Sequence, residues 1–267
     1  MLIVVDKCWF QSATSAEIRR LKSLYRLVLP DTFYLELLTD ENRENRASLA
    51  RKFGPAENPG ARVFLPELVH WEIERREPAH PLDQFLKDNF YLNPGLTAPT
   101  FPFREDDSEQ LARWENKNIA AVEQFKAQAS TIAHWFPELK HFPPGGSAHL
   151  IDEAMVKAGN PQIVLEIYDR FRSNRMPPTQ ILDGRWILFR YTQMNLFASL
   201  EYARRYGAGA ATVVSKRLHN DLMDLDYLIP ATMVGAFATL DKIPRKFFRL
   251  ACPNGLLIPE IMEAPGS

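Results

Sequence analysis

The chain has little cysteine and almost no net charge. Only Cys8 and Cys252 occur in its 267 residues, which is too few for a disulfide framework, and neither belongs to a Cys/His zinc-binding pattern. We therefore expect both thiols to be reduced and structural. The formal net charge is -1 and the isoelectric point is about 6.6, so no global field attracts polyanions. Any binding to nucleic acid must depend on local basic patches.

Long apolar runs and glycine-rich nucleotide motifs are also missing. The apolar start at Met1–Val5 is interrupted at once by Asp6 and Lys7, so we expect no secretion signal, no membrane-spanning helix and a cytoplasmic protein. The sequence contains no GxSxG elbow, GxGxxG turn or P-loop, so serine hydrolase, dinucleotide-binding and NTPase functions have no motif support. The histidines show no ligand spacing. His219 adjoins an acidic segment but is better explained as a surface or capping group than as a base.

Apolar patterning in the first forty residues predicts a compact βαβα unit. Leu2–Val5 reads as a buried strand, and Thr14 with its neighbouring serines offers an N-cap for a helix with apolar residues at helical spacing. Leu27–Leu29 is predicted to be a second strand. Pro30 then opens another helix, which carries Glu36.

The C-terminal part returns to alternating helices and strands. Asn220 is predicted to cap a helix from Asp221 towards Thr232, and Ala236–Thr239 is predicted to be a short strand. Phe247–Ala251 reads as one further strand. The expected fold is therefore α/β, with its two sheet-forming parts at 1–40 and 211–267.

Residues 41–210 read as a mainly helical insertion that packs on this sheet. Residues 61–66 are the exception, because ARVFLP is short and β-prone and predicts one more strand. Apolar residues at spacings of three and four predict amphipathic helices in the insertion, over residues 106–136, 147–158, 161–174 and 183–206.

Acidic residues stand at the ends of several of these elements. Carboxylates at strand ends are delivered to the open edge of an α/β sheet, where ligands bind, and grouped carboxylate oxygens suit a hard cation such as Mg²⁺ or Mn²⁺. Each acid alone is also explained as a turn, surface or first-turn helix residue, so the hypothesis depends on their joint placement. The candidates are Asp6, Glu36, Asp221, Asp224 and Asp241.

The order of these residues along the chain resembles that in PIN-domain ribonucleases. The matching pieces are LIVVD ending at Asp6, FYLELL with Glu36, and the NDLMDLDYL segment followed by TLDK, which give an ND...D..YL...T.DK ending typical of bacterial members. The resemblance covers about the first forty residues and the segment from Lys216 to Pro259. It implies a Rossmann-like three-layer α/β/α sheet with a metal-dependent ribonuclease site at its carboxyl edge.

When the acidic positions of that family are carried over to this sequence, the resemblance assigns Asp6, Glu36 and Asp241 to the acidic centre. Either Asp221 or Asp224, or both, would supply the helix acid, because residues three apart share a helix face. Asp226 points elsewhere and is assigned a structural role. Two further residues, Thr239 and Asn220, match positions that support the acidic centre in that family. Each also has an ordinary structural explanation.

Basic residues follow the last acid closely and could steer a phosphate backbone towards the site. They are explained equally well as a solvated face. The nearest candidates for phosphate contacts are Lys242, Arg245 and Lys246, with Lys216 and Arg217 as more distant ones.

The leading hypothesis is a metal-dependent endoribonuclease that hydrolyses RNA phosphodiester bonds with Mg²⁺ or Mn²⁺. RNA is the expected substrate, and an antitoxin or other protein partner and a homo-oligomer are open alternatives. A different hypothesis is an inactive PIN-like binding or regulatory protein. A third is an unrelated helical protein with scattered acids, which a large distance between Asp6 and Asp241 would support.

Overall fold

The computed structural model describes residues 1–40, 42–53, 60–87, 109, 112, 121–207 and 216–259. The chain divides into two compact units. The sheet unit comprises Met1–Leu65, Pro81–Pro102 and Pro230–Ser267, and the helical unit comprises Pro66–His80 and Phe103–Ile229. The sheet unit therefore extends beyond the predicted 1–40 on one side and resumes later than the predicted 211 on the other.

A five-stranded sheet forms the centre of the sheet unit. Its strands are β1 (Leu2–Val5), β2 (Arg26–Pro30), β3 (Ala61–Val63), β4 (Ala236–Ala238) and β5 (Leu256–Ile258). All neighbours are parallel, in the order β3-β2-β1-β4-β5. The chain moves outward from β1 through β2 to β3 and then returns to the other side of β1. This reversal places a topological switch point between β1 and β4.

Helices connect and flank these strands, as an α/β fold requires. In chain order they are α1 (Lys7–Ser12), α2 (Ser15–Leu24), α3 (Asp31–Thr39), α4 (Arg43–Phe53), α5 (Leu65–Arg75), α6 (121–129), α7 (Ile132–Trp135), α8 (Ala148–Ala158), α9 (Pro161–Phe171), α10 (Ile187–Tyr206), α11 (Lys216–Val234) and α12 (Lys242–Ala251). Short 3-10 turns cover Leu82–Phe85, Pro137–Leu139 and Thr179–Ile181. No helix among the described residues has both the length and the apolar character needed to cross a membrane.

The predicted elements of the first forty residues are confirmed. Ile3, Val4 and Val5 have no exposed surface, as expected for the central strand of a parallel sheet that is covered on both faces. Thr14 caps α2 through a capping box, in which its side chain accepts from the Glu17 amide and the Glu17 carboxylate accepts from the Thr14 amide. The strand predicted near 61–66 is β3.

Two predictions in the C-terminal part are wrong. Phe247–Ala251 is not a strand but the second half of α12, and the last strand is β5. In α12 the buried residues include Pro244, Phe247 and Phe248, whose spacing of three and four belongs to a helix face. Asn220 does not cap a helix from Asp221, because α11 is already helical from Lys216.

The helical unit is organised around α10, and a buried glutamate holds the start of this helix. The Glu72 side chain is fully buried and accepts hydrogen bonds from the amides of Ile187 (2.7 Å), Leu188 (2.9 Å) and Ala79 (3.1 Å). Trp186, the N-cap residue of α10, makes no side-chain cap bond, so Glu72 supplies the acceptor that the helix start lacks. Burial raises the pKa of Glu72 to about 7, against the opposing effect of these three hydrogen bonds.

Candidate metal centre

The candidate centre lies at the carboxyl ends of the two strands that border the switch point. Asp6 follows β1 directly, and Thr239 follows β4. The parallel ladder continues one residue beyond the strands, because the Asp6 amide donates to the carbonyl of Ala238 at 2.9 Å. Backbone pairing therefore fixes the two turns side by side at the edge where ligands of open α/β sheets bind.

The Asp6 carboxylate is buried and held by three donors. Its Oδ2 accepts from the Thr239 hydroxyl at 2.6 Å and from the Cys8 thiol at 3.1 Å. Its Oδ1 accepts from the Cys8 amide at 3.2 Å, in the N-cap interaction of α1. Since both oxygens are engaged, the carboxylate has a single well-defined orientation.

Asp241 is tied to the same cluster through its backbone. Its amide donates to Thr239 Oγ1 at 3.2 Å, while the Thr239 hydroxyl donates onward to Asp6. One threonine side chain therefore links the β1 and β4 turns. A carboxylate oxygen of Asp6, one of Asp241 and the sulfur of Cys8 all lie within 4.8 Å of one another.

Without a counter-charge, ionisation of the buried groups in this cluster costs free energy. Burial raises the pKa of Asp6 above its ordinary value and the nearby Asp241 raises it further, whereas the hydrogen bonds from Thr239 and Cys8 lower it. Burial and the Asp6 carboxylate also raise the pKa of the Cys8 thiol. A cation between these groups would relieve both the burial cost and the repulsion between like charges.

The chemistry of the donor set fits a divalent metal ion. It offers two carboxylates and one sulfur, on turns that the backbone holds together. Carboxylate oxygens are ligands for Mg²⁺ and Mn²⁺, and sulfur extends the range to softer cations. These residues could therefore hold a metal ion at the switch point.

The other predicted acids are placed differently. Glu36 lies half-buried on α3, where its backbone carbonyl accepts from the Lys7 ammonium group at 3.1 Å, and it is not part of the three-residue group. Asp221 and Asp224 belong to the helical unit. There, Asp221 pairs with Arg205 at 2.6 Å, which balances its charge within that unit. Asp226, which we had assigned a structural role, is buried on α11.

The basic residues after Asp241 divide into two kinds. Lys242 is exposed and stays a candidate for phosphate contact, as does Lys246, which is half-buried. Arg245 is not such a contact. Its guanidinium is buried and donates to the Thr239 carbonyl at 2.8 Å and to the Pro259 carbonyl at 2.6 Å, so it ties the turn after β4 to the end of β5.

A groove of about 360 Å³ adjoins the centre. Leu240, which separates Thr239 from Asp241, lines it, so the groove begins one residue away from the carboxylates. Its wall is mainly apolar, and among the described residues α2 contributes one cation, Arg20, and one acid, Glu17. Its lining also includes Trp9, Ala13, Leu21, Leu240 and Pro259.

Sequence reasoning missed the part played by Cys8. The sequence predicts a purely structural thiol, because Cys8 belongs to no recognised metal motif. The spacing held a usable signal, since Asp6 and Cys8 are two residues apart in the turn that follows a predicted strand. A residue two places after an N-cap acid can bring its side chain back to that acid.

Comparison with family models, with curated proteins and with solved structures finds no match to this chain.

Proposed function

We propose that the sheet unit is a PIN-like, metal-dependent endoribonuclease centre that hydrolyses RNA phosphodiester bonds. The observation that carries the proposal is the meeting of Asp6 and Asp241 at the switch point, in one group with Cys8. The same observation counts against the hypothesis of scattered, unrelated acids, which a large distance between Asp6 and Asp241 would have supported. The order of acids along the chain, which resembles that of PIN-domain nucleases, supports RNA as the polymer.

In this proposal the protein's own residues hold the cation and orient its ligands. Asp6 and Asp241 would hold the cation, Mg²⁺ or Mn²⁺ by the preference of carboxylates, and Thr239 keeps Asp6 oriented through its 2.6 Å hydrogen bond. When bound, such a cation lowers the pKa of a water molecule and neutralises charge that develops on the phosphate. Glu36 remains a proposed contributor from α3, and the roles expected of Asp221 and Asp224 stay predictions from the sequence.

Substrate contact is assigned to the surface around the carboxylates. Lys242 and Lys246 follow Asp241 and would bind phosphates. The groove beside Leu240 would receive the neighbouring nucleotide, because apolar walls suit a base and Arg20 suits its phosphate.

The test compares three single substitutions on a labelled single-stranded RNA with Mg²⁺ or Mn²⁺. We expect Asp6→Asn and Asp241→Asn to lower the cleavage rate at least about 100-fold, more than changes outside a metal's ligand shell usually cause. Asp83→Asn serves as the control, because Asp83 is an exposed acid of the sheet unit, and it should cleave like the parent protein. Circular dichroism checks that all three remain folded.

Full cleavage by both Asp6→Asn and Asp241→Asn would overturn the proposal. RNA binding without cleavage by the parent protein in either metal would support the inactive binding protein instead.

A further inference from the structure

We infer that Cys8 is a metal ligand and that its sulfur makes this centre prefer divalent transition-metal ions over Mg²⁺. The inference rests on the proposed function, because it specifies the cation of the same centre. A purely carboxylate centre also binds later transition-metal ions more tightly than Mn²⁺, but its oxygen ligands suit Mg²⁺ as well, so a sulfur ligand makes the preference steeper.

The spacing of the donor atoms allows one cation to contact all three side chains. Metal–ligand bonds to oxygen and sulfur are roughly 2.0–2.3 Å long, so two ligands of one ion lie up to roughly 4.6 Å apart. The relevant atoms of Asp6, Cys8 and Asp241 lie within 4.8 Å of one another. Closure of the three side chains around one ion would bring these atoms into a single coordination shell.

The sulfur is held in place by the turn that carries Asp241. The Leu240 amide donates to Cys8 Sγ at 3.4 Å, and Thr239 Oγ1 lies 3.5 Å from the same sulfur. The Cys8 amide in turn donates to Asp6. The thiol therefore belongs to the same hydrogen-bonded cluster as both carboxylates.

The softness of the sulfur ligand determines which metal ions the centre prefers. Mg²⁺ requires hard oxygen ligands and gives up its waters reluctantly, whereas thiolate favours softer ions. Coordination replaces the Cys8–Asp6 hydrogen bond, and the thiol proton passes to solvent. Affinity should therefore rise from Mg²⁺ to Co²⁺ and Zn²⁺ more steeply than carboxylates alone would produce.

A simpler role for Cys8 is that its thiol only orients Asp6 by hydrogen bonding. Cys8→Ser separates the two roles, because a serine hydroxyl can donate to Asp6 but is a hard ligand. Cys252 is the matched control. It is the only other cysteine of the chain, it is also half-buried, and its thiol donates to the Thr232 carbonyl at 3.4 Å.

The experiment titrates Co²⁺ into the full-length parent protein, Cys252→Ser and Cys8→Ser, and follows the near-ultraviolet charge-transfer absorption that a cobalt–sulfur bond produces. We expect the band in the parent and in Cys252→Ser, and its loss in Cys8→Ser. Competition calorimetry with Mg²⁺ should show that Cys8→Ser reduces the preference for Co²⁺ and Zn²⁺ at least about tenfold.

Binding of Co²⁺ by the parent without a sulfur band would overturn the inference and leave the carboxylate centre standing. An unchanged metal preference in a folded Cys8→Ser variant would overturn it as well. If neither Mg²⁺, Mn²⁺ nor Co²⁺ binds the parent, the proposed function fails together with the inference.

Discussion

Thr239 joins the two turns of the candidate centre through a single hydroxyl. The group donates to Asp6 and accepts from the Asp241 amide, and the residue has no exposed surface. A strand-end threonine is usually a plain β residue, yet here its oxygen sets the relative position of two carboxylates.

We predict that Thr239→Val lowers the free energy of unfolding by about 1–3 kcal/mol, because a buried carboxylate and an amide each lose a partner. It should also weaken metal binding, whereas Thr239→Ser should retain both properties. Urea unfolding and metal calorimetry on the two variants provide the measurement. Equal stability of the valine and serine variants would contradict a bridging role for the hydroxyl.

The sequence was informative about Asp6, Asp241 and Thr239 because each lies at or just beyond the end of an apolar strand, and strand ends of a parallel sheet meet at one edge. It was less informative about Cys8 and Arg245. Their roles depend on contacts outside their own element, such as the 3.5 Å approach of the Cys8 sulfur to Thr239. Residue type alone predicts a buried thiol and an exposed cation.

Among the elements, α12 connects β4 to β5 and carries an internal support for both. Arg245 reaches back to the carbonyls of Thr239 and Pro259, and burial lowers the pKa of its guanidinium. The side chain thus satisfies two carbonyls just beyond the ends of β4 and β5.

We predict that Arg245→Ala lowers the free energy of unfolding by about 2 kcal/mol or more, because charged hydrogen bonds to buried carbonyls are lost. Lys242→Ala is the matched comparison on the same helix, and we expect it to keep the stability but to weaken RNA binding. Thermal unfolding and fluorescence anisotropy with labelled RNA separate the two effects. Weaker RNA binding with parental stability in Arg245→Ala would contradict the structural assignment.

Helix α2 offers a matched pair of cations for testing the groove. Arg19 and Arg20 are adjacent and both exposed, but only Arg20 lines the groove. We predict that Arg20→Ala weakens RNA binding about threefold to tenfold, in line with the loss of one phosphate contact, and that Arg19→Ala has little effect. Anisotropy with labelled RNA in Ca²⁺ measures binding without cleavage. Equal losses in the two variants would indicate general attraction and not a groove contact.

Element types were predictable where the pattern was long or capped, as in α2 with its capping box. The prediction failed at Phe247–Ala251, because a short apolar run suits a strand or a buried helix face equally well. The burial pattern identifies this segment as a helix, because Phe247 and Phe248 face the core and Arg249 faces solvent. Such a pattern emerges only when the partners of the segment are known.

At the scale of the whole molecule, stability and pH are linked through Glu72. Its pKa of about 7 exceeds its ordinary value of 4.5, so the folded protein binds this proton more strongly than the unfolded chain does. The free energy of unfolding should therefore fall as the pH rises from about 4.5 to about 7 and then level off, by up to about 3 kcal/mol.

We predict that Glu72→Gln removes this part of the pH dependence, because the amide does not titrate. The variant should also be less stable at acidic pH by about 1–3 kcal/mol, since an amide nitrogen cannot accept from a backbone N–H as the carboxyl oxygen does. Urea unfolding between about pH 5 and about pH 8 measures both effects. The same slope in parent and variant would show that other groups control it.

The α/β class and a sheet divided along the sequence were predictable from the first forty residues and the return of strands after position 230. The helical middle was predictable as helix, because its apolar residues recur at spacings of three and four. The division of α11 between the two units was not predictable, since the boundary between them lies inside this single helix, at Ile229 and Pro230. Periodicity describes one element and says nothing of which neighbours it joins.

The pairing of β1 with β4 sets the order in which the candidate centre can assemble during synthesis. Asp6 and its partner Thr239 are separated by 233 positions, and at about 5–20 residues per second a ribosome needs roughly 12–47 s to synthesise that stretch. During this interval the nascent chain carries Asp6 and Cys8 without Thr239 and Asp241. A chain that stops before position 236 lacks β4, so under the proposed function cleavage can begin only after that strand has been made.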